Sequence, residues 1–306
     1  MASDVKYQTF GAGTVPDGGP AAGILAPPAA GAQQGYISPQ QPQIQASGMQ
    51  PVVAPSGAPA PLGQIQWMPH PQAVPGCPPG LEYLTQVDQL LVHQQVELFE
   101  VVTDIETQNR YQVKNSLGQQ IYFAHEESEF CERICCGPRR GFTMHVTDNM
   151  NQEVLRISRE LKICGGCCWC ANADCCAMDI AVEAPVGNVI GYVRQAQSWW
   201  YPNFDLLNVA KEPVLKILGP FWFCQNVCCT GDIDFNVMNE DSNIEVGKLS
   251  KQWGGFVKEA FTKADNFNVN FPLDLSVDMK ACLLGAVFLI DFMYFERKKD
   301  TNERHH

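Results

Sequence analysis

After about residue 80 the chain alternates apolar and polar positions in short runs. "QIYFAHE" (120–126), "GFTMHV" (141–146), "EVLRIS" (153–158), "DIAVEA" (179–184), "NVIGYVRQ" (188–195), "PVLKILG" (213–219), "DIDFNVM" (232–238) and "SNIEVGKLS" (242–250) each have strand length. Polar or turn-forming segments such as "TDNMNQ", "PVG" and "NEDS" divide them. Repeated strand and turn units of this length predict a mainly antiparallel sheet system, a sandwich or a barrel. The apolar spacing predicts two short amphipathic helices, "EYLTQVDQLLVHQQ" (82–95) and "GGFVKEAFTKADN" (254–266), the second with Phe256, Ala260 and Phe261 on one face. "VIGYVRQAQSWW" and "IEVGKLSKQWGGF" echo one another in the order apolar pair, Gly, apolar residue, Gln and Trp, as related hairpins would.

One stretch breaks the alternation. "MKACLLGAVFLIDFMYFERKK" (279–299) is apolar from Ala281 to Ile290, meets Asp291, and resumes as "FMYF". Its central residues are Ala281, Leu283, Leu284, Val287, Phe288, Ile290, Asp291 and Phe292. Counted through the aspartate, the run is about 15 residues or about 22 Å of helix, against the roughly 20 residues needed to cross a membrane. Asp291 would add about 2.5–3.5 kcal/mol near the middle of a bilayer. Asp278 before the run and Arg297, Lys298 and Lys299 after it match a helix dipole. A helix apolar on every side belongs either in lipid or at the centre of a protein core. Length and charge favour the core of a closed sheet, with Asp291 near the rim beside a partner; single-pass insertion of 281–295 is the alternative.

Composition divides the chain. Residues 1–79 are dominated by Pro, Gly, Ala and Gln and carry few charges, so they read as a disordered tail ahead of a folded domain over 80–299 and a short C-terminal tail over 300–306. PxxP-like spacing in that tail, as in "PSGAP", fits SH3 or WW domains, or a plain spacer. A net charge of -12 without a basic stripe argues against nucleic acid as a partner. "MASDVKYQTF" lacks the features of a secretory signal, so the 14 cysteines are expected to be reduced thiols.

Six of them crowd into "CGGCCWCANADCC": Cys164, Cys167, Cys168, Cys170, Cys175 and Cys176. Cys164 and Cys167 have CxxC spacing for zinc, although adjacent cysteines fit a clean four-ligand site less well. A cysteine-rich cytosolic loop containing Trp169 suits S-palmitoylation, because two or more acyl chains give stable anchoring at about 0.8 kcal/mol per buried methylene. Inert loop thiols are the third reading. Cys135 with Cys136, and Cys228 with Cys229, are secondary candidates, or else small buried residues at strand ends. No catalytic constellation is visible: His70, His93, His125, His145, His305 and His306 lie in unrelated contexts, and an enzyme is not expected.

"CERICCGPRRGFTMHVTDNMNQEV", "GYVRQ", "KEPVLKILGP", "GDIDF", "VGKLSKQWGG", "EAFTKADNFNVNFPLDL" and "GAVFLIDFMYFE" together resemble, in order and spacing, the phospholipid scramblase family over about 81–296. The resemblance implies a tubby-like fold, a closed antiparallel barrel of about twelve strands around a hydrophobic C-terminal helix. It implies Ca²⁺-dependent, ATP-independent, bidirectional movement of phospholipids between leaflets of the plasma membrane, by a protein lipid-anchored at the cytosolic face. It also implies palmitate on the cysteine loop, here interrupted by Gly165, Gly166 and "ANAD". An EF-hand-like Ca²⁺ segment falls on "KADNFNVNFPLD" (263–274), where Asp265, Asn266 and Asp274 are the candidate ligands. The segment departs from an EF-hand, with Lys263 at position 1, Phe267 at position 5 and Asn268 where Gly is usual, so the site would be weak. Its other reading is a strand with Phe267, Val269 and Phe271 alternating inward. The rival function is a palmitoyl-tethered adaptor that binds lipid and protein partners without efficient direct scrambling.

Overall fold

The structure is a computed structural model that describes residues 65–95, 108–162, 164–221, 232–252 and 265–296. The tail up to residue 64, the 300–306 tail, Cys228, Cys229 and most of the predicted 254–266 helix lie outside the described residues.

Twelve strands form one closed sheet: β1 (Gln89–Gln95), β2 (Arg110–Lys114), β3 (Gln120–Glu127), β4 (Phe142–Thr147), β5 (Glu153–Arg159), β6 (Asp179–Glu183), β7 (Val189–Gln195), β8 (Asn203–Leu207), β9 (Pro213–Leu218), β10 (Ile233–Asn239), β11 (Glu245–Gln252) and β12 (Asn266–Asn270). Each pairs antiparallel with the next in sequence, and β1 closes on β12 with Gln89 opposite Asn270 and His93 opposite Asn266. The period-two pattern does what it predicts. Leu90 and Val92, Met144 and Val146, Ile180 and Val182, and Phe235 and Val237 point inward and are buried, while the residues between them are partly exposed.

Eight strands already leave just enough interior for side chains, so twelve leave room for more. That room is filled by α2 (Val277–Ile290), which runs up the barrel axis and continues as a π-helical turn, Asp291–Phe295. Every residue from Met279 to Phe295 except Gly285 carries a side chain buried in this core, and Gly285 lets the helix approach Ile180 and Val182, where a Cβ would meet them at 2.9 and 3.3 Å. Ala281, Leu283, Leu284, Val287, Phe288, Ile290 and Phe292 therefore pack within the protein core. Among the described residues no helix is long and apolar enough to cross a membrane.

Polar groups on this helix are satisfied internally. Ser276 caps its N-terminus, accepting from Met279 N at 3.4 Å. Lys280, fully buried, donates to the carbonyls of Leu84, Val87 and Leu273 at 2.9, 3.0 and 2.7 Å. Asp291 accepts from the Tyr111 hydroxyl at 2.7 Å. Burial, and then the Asp291 charge, push the Tyr111 phenol well above its ordinary range, so the tyrosine remains the donor.

Two expectations change. The predicted helix over 82–95 is a 3-10 turn, Glu82–Gln86, followed by β1. Leu90 and Val92 pack inward by strand alternation, and backbone pairing with β12 outweighs the local helical pattern. The chain also packs on the barrel upstream of the expected boundary at residue 80: Gln120 N donates to Gln66 O and Met68 N to Gln120 O, both at 2.8 Å.

Candidate functional site

Because neighbouring strands are antiparallel and consecutive, alternate connections fall on opposite ends of the barrel. Tight turns at 115–119, 148–152, 184–188, 208–212 and 240–244 close one end. The connections 128–141, 160–178 and 196–202 open at the other, where the C-terminal end of α2 also emerges. Phe292 stacks on Phe142 at the start of β4, and Phe295 meets Phe267 at the start of β12, which places the helix end at this rim. All six cysteines of the loop, together with Cys131, Cys135 and Cys136, are thereby gathered on one end.

The 160–178 connection has a defined scaffold. Lys162 Nζ donates to Ala177 O at 2.8 Å and Asp174 O at 3.1 Å and pairs with the Asp179 carboxylate. Gly165 packs where a Cβ would fall 2.4 Å from Met178 Sδ, and Gly166 turns at φ +91°. These glycines, which interrupt the cysteine run, make the loop's reversal sterically feasible.

The thiols differ in setting. Cys164, Cys167 and Cys175 are exposed, whereas Cys170 and Cys176 are half-buried. Cys168 is also half-buried and turns toward the barrel mouth, 3.7 Å from the Tyr294 hydroxyl and 3.5 Å from Gln195 Nε2. Backbone N–H groups of Trp169 and Cys170, and then the Cys170 thiol, hold the Cys167 thiol below its ordinary value, which favours its thiolate. Sharing with Cys170 and Cys175 pushes Cys176 up to about 12. The sulfur atoms of Cys164, Cys175 and Cys176 lie within 4.8 Å of one another, and those of Cys175 and Cys176 are 3.7 Å apart. Tetrahedral thiolate coordination with bonds of about 2.3 Å places sulfurs at about this separation, so these three could hold a soft metal ion. Cys135 is exposed on α1 (Phe130–Cys136) and Cys136 half-buried beside it, so the reading of this pair as buried strand-end residues is corrected.

The rim is braced from inside by a buried ionic group. Arg140 donates from Nε to Glu126 Oε1 at 2.8 Å and from Nη2 to Glu296 Oε1 at 2.7 Å. Its guanidinium lies 4.5 Å from the centre of the Phe292 ring. Arg159 stacks on Phe142 at 4.6 Å and donates to the Arg140 carbonyl, with burial and then the Arg140 charge lowering its pKa to about 9. Burial alone would raise Glu126, but hydrogen bonds from Arg140 and its charge prevail and hold the carboxyl below its ordinary value. Glu296 at the end of the helix is thus tied through Arg140, two residues before β4, to Glu126 of β3. Sequence reading missed this cluster, since Glu126, Arg140, Arg159 and Glu296 share no local motif.

The candidate Ca²⁺ residues do not converge. Asp265 pairs with Lys251 at 2.8 Å, and Asn266 Oδ1 lies 2.7 Å from His93 Nδ1, both at the long-loop rim. Asp274 follows β12 at the tight-turn end. The intervening strand, with Phe267 and Val269 buried, spans roughly 17 Å at 3.3 Å per residue, too far for the two carboxylates to share one ion.

A sequence model of the Scramblase family matches residues 68–297. Phospholipid scramblase 1 of Mus musculus is 52% identical over 242 residues, covering 79% of this chain and 71% of its own length. Phospholipid scramblase 2 of Bos taurus is 52% identical over 247 residues, covering 81% and 80%. Phospholipid scramblase 4 of Homo sapiens is 36% identical over 297 residues, covering 94% and 88%. No solved structure gives a significant match. The matched region contains the whole barrel, the enclosed helix and the cysteine-bearing rim, and by this similarity the chain belongs to the scramblase family.

Proposed function

We propose that this protein associates with membranes and moves phospholipids between the two leaflets, a lipid translocation without covalent chemistry. The observation that carries the reading is the sequence match to phospholipid scramblases across the entire folded region. The one-sided display of thiols is consistent with it. Palmitate on the exposed cysteines, Cys167 foremost, would hold this rim at the cytosolic face of the plasma membrane. Two acyl chains suffice for stable attachment. Movement down a compositional gradient requires no ATP. For Ca²⁺ dependence, the separation of Asp265 from Asp274 argues against one EF-hand-like site, so a Ca²⁺ response would draw on ligands other than this pair. The Pro-rich tail supplies a binding segment for SH3 or WW domains.

Reconstitution in liposomes with dithionite quenching of a labelled lipid tests the reading. Leaflet exchange should exceed that of protein-free vesicles; exchange at the protein-free rate, with the protein bound, would overturn it.

A specific observation favours a second reading. The barrel lumen is filled by α2 and its end is fastened by Arg140, so among the described residues no headgroup passage runs through the barrel. A membrane-tethered binding module that recognises lipid or protein needs no such passage. Under the first reading, lipid exchange must instead take place in the bilayer disturbed beside the protein.

A further inference from the structure

The rim that gathers the cysteines also displays large aromatic rings that the barrel core does not use. Trp169 is 63% exposed, Trp199 62%, Trp200 58%, Tyr201 39% and Phe221 47%. Trp169 and Trp199 contact each other with ring centres 5.8 Å apart, and Trp200 stacks on Phe221 at 6.1 Å. These residues come from three separate connections, so their proximity is a product of the fold. At 150–250 Å² per aromatic side chain, their exposed parts amount to roughly 400–700 Å². That is at or above the largest apolar patch of an ordinary monomer, and surfaces of this size mark interaction sites.

We infer that this aromatic surface inserts into the interfacial layer of a phospholipid bilayer and sets which end of the barrel faces the membrane, independently of any acyl chain. The inference deepens the membrane-associated reading above and rests on it. Two observations select lipid as the occupant. Trp and Tyr have apolar rings with polar N–H or O–H groups, the combination favoured at headgroup level. The surface is joined to the cysteine loop, with Ser198 N donating to Cys168 O at 3.2 Å and Gln197 Nε2 to Trp169 O at 2.9 Å. Acyl chains on exposed thiols of that loop would therefore enter the same bilayer plane as the rings.

The opposite end provides the control. It is closed by tight turns, and among the described residues its exposed large apolar side chains, Leu117, Met150, Val209, Ile244 and Leu273, include no aromatic ring. The full chain, produced without acylation, is mixed with vesicles of phosphatidylcholine and phosphatidylserine, with and without brominated acyl chains. Bound protein is measured by sedimentation and tryptophan emission by fluorescence. The unsubstituted chain should bind and show blue-shifted, bromine-quenched emission. The triple variant Trp169→Ser, Trp199→Ser, Trp200→Ser should lose vesicle affinity on the order of tenfold or more, with unchanged thermal unfolding. In the otherwise unsubstituted chain, which binds, Leu117→Trp should add emission that bromine does not quench.

Absence of quenching in the unsubstituted chain, unchanged affinity of the triple variant, or equal quenching at position 117 would overturn the inference. Self-association abolished by the triple substitution, without vesicle quenching, would assign the surface to a second copy and overturn it as well. Leaflet exchange measured in the same vesicles separates the two readings. Quenching without exchange sinks scrambling alone, and exchange without quenching sinks this surface alone.

Discussion

Replacing Arg140 by Met tests whether the buried ionic group locks the terminal helix into the barrel. The substitution keeps an unbranched apolar stem over Phe292 but removes the cation held between Glu126 and Glu296. Removing one partner from a buried pair costs about 3–5 kcal/mol, because the remaining charge is left in a poorly solvated site. Here two carboxylates remain, and nearby Arg159 offsets part of their repulsion. With about 2–4 °C of Tm per kcal/mol for a domain of this size, Tm should fall by about 6–20 °C at neutral pH. Thermal unfolding of the full chain by far-ultraviolet circular dichroism reads this directly.

The pH dependence has a definite sign. Glu126 has a depressed pKa in the folded protein, so its stabilisation is present above its unfolded value near 4.5 and is lost as pH falls through the folded value. In Arg140→Met the Glu126 carboxylate has lost its cation and takes up a proton more readily. The wild-type advantage should therefore be largest at neutral pH and shrink as pH falls toward 4.5. A Tm difference that is absent at neutral pH, or constant across this range, would refute the lock.

Further outcomes follow from individual positions. Gly191→Ala would place a Cβ 2.6 Å from Cys282 Sγ and 2.8 Å from the Leu207 carbonyl, so chemical denaturation should show a loss of about 1–3 kcal/mol. Peptide mapping after acyl exchange should find Cys167 modified and Cys168 unmodified, because Cys168 turns toward Tyr294 and Gln195. Asp265→Asn should leave the midpoint of any Ca²⁺ response in leaflet exchange unchanged, because that carboxylate is engaged by Lys251. A shifted midpoint would return Asp265 to the ion's ligand set.

Much of the sheet was legible because turn signals bounded runs with clear alternation. β3–β7 and β9–β11 all fall on segments expected to be strands. β2 and β8, "RYQVK" and "NFDLL", were not distinguished from the connections around them. β1 was read as helix because Tyr83, Leu84, Val87, Leu90 and Leu91 have near-helical spacing when no partner strand is considered. The cysteine run was visible in one dimension, but the contrast between Cys167 and Cys168 required the barrel mouth. The joining of the Trp169 and Trp199 loops required it too.

Composition and periodicity by themselves determined that this chain makes short antiparallel strands and one uniformly apolar helix, since those patterns are local. They left open what would surround the helix, because lipid and a protein core make the same demand on an apolar surface. Only closure of β1 on β12 decided that question, by supplying a lumen wide enough for the helix and the partners for Lys280, Asp291 and Glu296. The same closure sorted the connections between two ends and brought thiols and aromatic rings from distant parts of the chain to one rim. That arrangement depends on strand pairing across long sequence separations, which no local pattern encodes.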